Sequence, residues 1–237
     1  MSLPDAPRVM AAVRATWPPA RMVRAGRFDV PLDPEGSRRA ISARACAPGA
    51  DGGDLAAVRA ARPGAIFSTV DGAEDPLCDL LAAEGYAPEG ASALMAGPAA
   101  PLLGALPRVS GFAHWPPAAI CAAMWGAHGN GPASLATADR APGPKAAILL
   151  RSDDRAAGAL FVAVTGGLAV LHMVLTLPAH RRRGVGLLGL RHAAAFAAAH
   201  GAGHLALPVE RANAPAIALY ERAGLASVGG YRYWRRP

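Results

Sequence analysis

Residues 156–179 contain no Asp, Glu, Lys or Arg. A run of that length can cross a bilayer as a helix, but Gly166-Gly167 divides it into two segments rich in Val, Leu and Phe. A glycine pair between two apolar runs is a hairpin signal, so the expectation is a β-hairpin buried on both faces and no membrane span. Strands buried on both faces need helices to cover them, and the rest of the chain must supply those.

Apolar residues recur at helical spacing over residues 8–17, and Pro18-Pro19 stops that helix. Strands are expected at 27–32 and 39–45 around the turn Asp33-Pro34-Glu35-Gly36, then a helix at 54–61. A β-α-β order follows: strand 65–70, helix 75–84 stopped by Gly85, strand 91–96. Residues 97–107 hold three prolines and read as a linker, which predicts one unit over 1–105 and a second over 106–237.

The second unit is expected to open with a strand at 108–112, a helix at 117–125 and a helix or loop at 132–140. Strands follow at 145–151, 156–165 and 168–177, with a helix at 185–200 ended by Gly201. A strand at 205–209, a helix at 213–223 and a strand at 226–234 close the pattern. Together these make a mixed α/β (α+β) fold with a mostly antiparallel central sheet flanked by helices.

Composition excludes several functions. Of 237 residues, 52% are hydrophobic and 17% charged, the balance of a packed protein. The net charge of +7 comes almost wholly from scattered arginines, with Lys145 the one lysine; only Arg181-Arg182-Arg183 and Arg232, Arg235, Arg236 cluster. Without a basic stripe no nucleic-acid partner is expected. Cys46, Cys78 and Cys121 show neither paired nor metal-ligand spacing, and no Cys or carboxylate joins His192, His200 and His204. Neither a disulfide nor a metal is expected, and the first ten residues lack a secretory pattern, which predicts a cytoplasmic protein.

Chemistry concentrates at His180-Arg181-Arg182-Arg183-Gly184-Val185-Gly186, between the strand ending at Pro178 and the next helix. A strand, a glycine loop and a helix N-terminus present unpaired N–H groups and a favourable dipole to an anion. The glycines permit close approach and the arginines add fixed charge. A nucleotide P-loop would need Gly-Lys-Ser or Gly-Lys-Thr, and a dinucleotide fingerprint a third glycine and a ribose-binding acid. Neither pattern is present.

Downstream lies Asn213-Ala214-Pro215-Ala216-Ile217-Ala218-Leu219-Tyr220-Glu221-Arg222-Ala223-Gly224-Leu225. With the arginine-glycine loop this resembles the two signature segments of the GNAT superfamily of acetyl-CoA-dependent N-acyltransferases. Arg181, Gly184 and Gly186 fill the first pattern; Asn213, Ala216, Leu219, Tyr220 and Gly224 fill the second, with Leu225 where Phe is usual.

The resemblance implies acetyl-CoA as cosubstrate. The pyrophosphate would lie on the amides of Arg182, Arg183, Gly184, Val185, Gly186 and Leu187, and pantetheine along Val174, Leu175 and Thr176. Tyr220 would protonate the departing thiolate, since a phenol near pKa 10 stays protonated at neutral pH. The reaction implied is direct attack by an amine in a ternary complex. Relatives that acetylate protein N-termini tend to carry Glu five residues before the Asn; here Pro208 stands there. Glu210 and His172 are the candidate bases. Aromatic residues in the acceptor regions, Trp115, Trp125 and Tyr231, point to a small or partly hydrophobic amine.

Residues 65–96 repeat the strand, helix, strand order of 205–234, and Leu80-Leu81-Ala82-Ala83-Glu84-Gly85-Tyr86 aligns with residues 219–225. The expectation is a pair of tandem GNAT-like units, the first degenerate: Leu81 stands where the second has Tyr220, and no Arg-x-x-Gly-x-Gly precedes it. The competing reading of the whole is a non-catalytic acyl-CoA-binding module. Retained Asn213 and Tyr220 favour the enzyme, and the lack of an obvious base favours the module.

Overall fold

A computed structural model describes residues 2–33 and 36–237, so Pro34 and Glu35 of the expected turn lie outside the described residues. Helix α1 (Ala6–Ala15) opens on Asp5, whose carboxylate accepts the Arg8 N–H at 2.9 Å, an N-cap that satisfies one orphan donor. It ends just before Pro18-Pro19. Strands β1 (Met22–Ala25) and β2 (Phe28–Pro31) form a tight hairpin at Gly26, whose φ of 55° suits glycine.

The strand expected at 39–45 is instead a single helical turn, α2 (Arg38–Ile41), followed by the short β3 (Arg44–Ala45). The Ser37 carbonyl accepts the N–H groups of Ala40 and Ile41, closing the turn. Arg38 and Arg39 reach across to Glu210 and His172, so distant partners override a local β preference. Strand β1 had no signal of its own: Met22, Val23 and Arg24 are all exposed.

The rest of the first half is α3 (Gly52–Ala61), β4 (Phe67–Val70), α4 (Asp75–Ala83) and β5 (Ala87–Pro98), the last twice the length expected. The second half runs β6 (Gly111–His114), α5 (Ala119–Ala127), α6 (Pro132–Arg140), β7 (Lys145–Ser152), β8 (Arg155–Thr165), β9 (Leu168–Thr176), α7 (Val185–Ala199), β10 (His204–Glu210), α8 (Ala214–Arg222) and β11 (Ala226–Arg235). The first strand thus starts a few residues later than expected.

The uncharged run forms the β8–β9 hairpin, with Gly166 and Gly167 at φ 54° and 77°, as a two-residue primed turn needs. Residues 157–163 are buried throughout. Leu160 and Val162 pack with Leu190 and Ala193 of α7, while Ala159, Phe161 and Ala163 pack with Trp17 and Trp125 on the other face. The period-2 alternation of the strand therefore feeds two separate helical layers. No helix among the described residues is long and apolar enough to cross a membrane.

The main sheet has eight strands in the order β4-β11-β5-β10-β9-β8-β7-β6, all neighbours antiparallel except β9 and β10. A separate three-stranded sheet, β1-β2-β3, flanks it. The linker near residue 105 separates the halves along the chain, but the sheet runs across it. Strand β5 lies between β10 and β11, and β11 between β5 and β4, so each half inserts its last strand beside the other's. Ala226 faces Ala96 and Arg235 faces Ala87, so the start of each strand meets the far end of its counterpart.

Candidate active site

The site is built where the one parallel strand pair comes apart. β9 and β10 pair only over Leu168, Ala169 and Val170 against His204, Leu205 and Ala206. Beyond that, β9 continues to Thr176 and β10 to Glu210 with no pairing between them. On its other side β9 stays bound to β8 through Thr176, with a bulge between Phe161 and Ala159. Met173 takes up the bulge at φ 47°, and the Trp125 indole N–H holds its carbonyl at 2.8 Å. The backbone edge of Val174, Leu175 and Thr176 that faces the opening is left without a strand partner. Such groups bind an extended polar chain by adding hydrogen bonds to the open edge.

At the end of β9, Pro178–His180 forms a 3-10 turn, and Arg182 (φ 61°) and Gly184 (φ 79°) reverse the chain into α7. No side chain caps this 15-residue helix, so the N–H groups of Val185, Gly186 and Leu187 face outward without an intrahelical acceptor. A side chain at Gly184 would meet nothing within 4 Å, leaving the approach open. Gly186 has a different use. An ideal Cβ there would lie 2.6 Å from Leu219 Cδ2, so this glycine seats α8 against α7.

The three loop arginines do not converge on one point. Arg181 Nε donates to the Thr176 carbonyl at 3.4 Å, Arg182 is exposed, and Arg183 pairs with Asp153 on the β7–β8 hairpin. Asn213 caps α8, its side-chain oxygen accepting the Ala216 N–H at 3.2 Å, with Ala216 packed against the core.

Tyr220, on the next turns of α8, is 5% exposed among the core side chains packed under α7. Its hydroxyl has no hydrogen-bond partner among the described residues, and burial pushes its pKa up to about 12. It is a weaker acid than an exposed phenol. Full transfer of its proton to a thiolate of pKa near 8.5 runs uphill, so a hydrogen bond to departing sulfur suits it better.

The two candidate bases sit in contrasting places. Glu210 ends β10 with its side chain 68% exposed, 3.6 Å from Arg38 Nη2. His172 is 2% exposed, with Nε2 2.9 Å from the Thr16 hydroxyl and Nδ1 3.2 Å from Arg39 Nη2. Thr16 donates its own hydroxyl proton to the Ala12 carbonyl, so it accepts from Nε2–H, and the Arg39 guanidinium donates to Nδ1. Both nitrogens are thereby occupied. Burial, then the Arg39 charge, holds the His172 pKa well below its ordinary value.

Sequence reasoning missed Thr16, Trp17 and Arg39, which surround His172, and it read Trp125 as an acceptor-region aromatic, whereas its side chain is fully buried and fixes the β9 bulge. Nothing local marks them. The Thr16–His172 and Arg39–His172 contacts span 156 and 133 residues of chain.

The site geometry is therefore a parallel strand pair that opens after three residues, beside an uncapped helix N-terminus preceded by three arginines. Residues 120–225 match the acetyltransferase (GNAT) family. The chain is similar to a GCN5-related N-acetyltransferase from Kribbella flavida: TM-score 0.73, 23% identity, 98% of this chain and 95% of that one covered. It is also similar to a tandem GNAT protein from the clavulanic acid biosynthesis pathway: TM-score 0.62, 16% identity, covering 95% and 86%. The fold is thus GNAT-like, in a tandem arrangement. A streptothricin acetyltransferase from Streptomyces lavendulae is 54% identical over 52 residues, which cover 22% of this chain and 28% of that protein.

Proposed function

We propose that this protein is an N-acetyltransferase that moves an acetyl group from acetyl-CoA to a small amine by direct attack in a ternary complex. The observation that carries the reading is the pairing of two open features: the uncapped N–H groups of Val185 to Leu187, and the unpartnered edge of Val174 to Thr176. The first suits a pyrophosphate and the second a pantetheine arm. The unit that performs this chemistry is residues 106–237; residues 1–105 form a degenerate companion that supplies β5 and packs Thr16 and Arg39 around His172.

In the reaction the neutral amine attacks the thioester carbonyl, and backbone N–H groups at the β9 edge polarise its oxygen. Attack forms the C–N bond; collapse breaks the C–S bond and expels the CoA thiolate. Tyr220 donates a hydrogen bond to that sulfur; the proton lost by the amine nitrogen passes to Glu210 and on to solvent, and solvent protonates the released thiolate. Proximity and fixed dipoles do most of the work, as expected when no acyl-enzyme forms. Glu210 is the group positioned to take the amine proton, because it reaches solvent at the open end of β10. His172 acts on the fold instead, by tying β9 to α1 and α2.

One observation favours a second reading, a module that binds acyl-CoA without turnover: Glu210 is engaged by Arg38, and His172 has no free lone pair. Thermal unfolding with excess acetyl-CoA tests the binding, alongside an Arg182→Glu, Gly184→Glu variant. A rise in Tm of several degrees that the variant loses supports the site, since ligand at 100 times Kd adds about 2.7 kcal/mol. No shift for the parent protein would sink it. Turnover is then read as thioester loss with a panel of amines that includes streptothricin.

A further inference from the structure

Arg38 and Arg39 share the single turn of α2 and are held very differently. Arg39 donates to His172 Nδ1 at 3.2 Å, and its guanidinium lies 5.5 Å from the centre of the Trp17 ring, so it is part of the packing. The Arg38 guanidinium lies between two carboxylates, with Nη1 3.6 Å from Glu89 and Nη2 3.6 Å from Glu210. It also lies over the Tyr233 ring, 5.1 Å from its centre. Both ion-pair distances exceed a hydrogen bond, and this guanidinium makes none among the described residues. The side chain is 40% exposed, so the contacts that hold it are screened by water.

The surroundings nevertheless suit a cation. Gly90 has φ 59°, and a Cβ there would lie 2.6 Å from Arg38 Nη1, so this glycine leaves the space in which the guanidinium sits. Tyr233, itself 5% exposed, presents its ring face, and an aromatic face attracts a positive charge. The place in the fold matters as well. The last residues paired across β9 and β10 are Val170 and Ala206; four residues further along each strand stand Val174 and Glu210, on opposite sides of the opening. Arg38 thus covers the carboxylate that stands across from the unpartnered edge of β9. It does so from the α1 and α2 face of the sheet, since Tyr233 packs with Val9 and Val13 of α1, while α7 covers the other face.

We infer that Arg38 fills the position of a cation carried by the acceptor, and that the acceptor is a diamine or another amine with a second positive group. The reacting amine gives its proton to Glu210. The second group, still charged, displaces the Arg38 guanidinium and rests on Glu89 and the Tyr233 ring. Arg38 is then a specificity-determining residue: an acceptor with one cation replaces only one of its ion pairs, and an acceptor with two replaces both. The inference rests on the acetyltransferase reading, in which Glu210 takes the acceptor proton, and it names the class of acceptor.

The experiment measures binding of 1,4-diaminobutane and of n-butylamine by calorimetry, with and without CoA. The parent protein is expected to bind the diamine about 10-fold more tightly, the range of one charge-assisted contact. Arg38→Ala removes the competing guanidinium and should tighten the diamine about 10-fold further, whereas Glu89→Gln should bring the diamine down to the level of the monoamine. Arg38→Met keeps the aliphatic stem and gives the same test if the Ala variant does not fold. Mere loss of packing at α2 would weaken both amines alike, so the ratio of the two affinities separates it from loss of a competing cation. No binding of the diamine, equal affinities in the parent, or a weakened diamine in the Arg38 variants overturns the inference, and CoA binding in the same titrations leaves the acetyl-CoA reading standing. A diamine preference without any binding of CoA upholds the cation position and sinks the acetyl-CoA reading.

Discussion

Two helices in this protein begin at matching points of the chain order, and their N-termini are built in opposite ways. α3 follows β3 and precedes β4, to which the chain before β3 is joined by the parallel bridge of Ala43 and Phe67. α7 follows β9 and precedes β10, joined by the parallel pairs starting at Leu168 and His204. At α3 the Asp51 carboxylate accepts the N–H groups of Gly53 and Asp54 at 2.9 and 3.1 Å, and Asp54 returns a bond to the Asp51 N–H. That reciprocal cap fills the anion position with the protein's own carboxylate. At α7 the corresponding position is Gly184, with no carboxylate and three arginines before it. One N-terminus is capped by the protein's own carboxylate, and the other is left uncapped.

The comparison breaks most completely if the halves are independent. Residues 106–237 alone would lose β5, which pairs with β10 along its whole length and with β11 from Ala226 to Arg235. They would also lose α1, whose Val9, Met10 and Val13 cover Val170, Ala206 and Tyr231. The expected outcome is a fragment with no cooperative melting transition as a monomer, in contrast to the whole chain, followed by circular dichroism. A sharp transition that acetyl-CoA raises would show that the first half is dispensable and the strand exchange incidental.

The second contrast is Tyr220 against Leu81, which stands at the aligned position of α4. Both are buried, at 5% and 0% exposure, so burial does not explain the hydroxyl. Tyr220→Phe removes an oxygen without a partner among the described residues, so Tm should hold while kcat falls about 10- to 100-fold, within the range of general acid and hydrogen-bond donor losses. Because the pKa is raised to about 12, the hydroxyl keeps its proton throughout neutral and mildly alkaline pH. No loss of kcat with a midpoint below about pH 11 should trace to this residue. A kcat unchanged in the Phe variant would leave Tyr220 a packing residue like Leu81.

How far these contrasts could be read in advance depends on the range over which each feature is encoded. The β8–β9 hairpin, the helix after Gly184 and the helix expected at 213–223 are set by neighbours within a few residues, and all three are where their local signals place them to within a residue or two. The segment at residues 39–45 misled because its strand-like look is overridden by Arg38 and Arg39, whose partners lie far along the chain. The opening between β9 and β10 has no local signal; the pairing stops after Val170 and Ala206, and β9 then bulges at Met173, whose carbonyl is held by Trp125 from a distant helix. The same holds for His172. Its residue type suggests a base, but burial and then the Arg39 charge hold its pKa down, and Thr16 and Arg39, which contact it, come from elements that no local pattern links to it.

The smallest effect belongs to the α3 cap itself. Asp51→Ala frees the N–H groups of Gly53 and Asp54, while the backbone N–H of residue 51 can still donate to the Asp54 carboxylate, which also holds Arg27. Loss of a cap of this kind costs about 0.5–2 kcal/mol, a drop of a few degrees for a chain this size. The rise in Tm on adding acetyl-CoA should stay as in the parent, and calorimetry should still find one acetyl-CoA per chain. Two oppositely built N-termini predict that result, because α3 lacks the open strand edge and the arginines that α7 has beside it. If uncapping α3 creates a second acetyl-CoA site, the Asp51 carboxylate is a plug in a site that otherwise remains whole, and the first half has lost far less than its sequence implies.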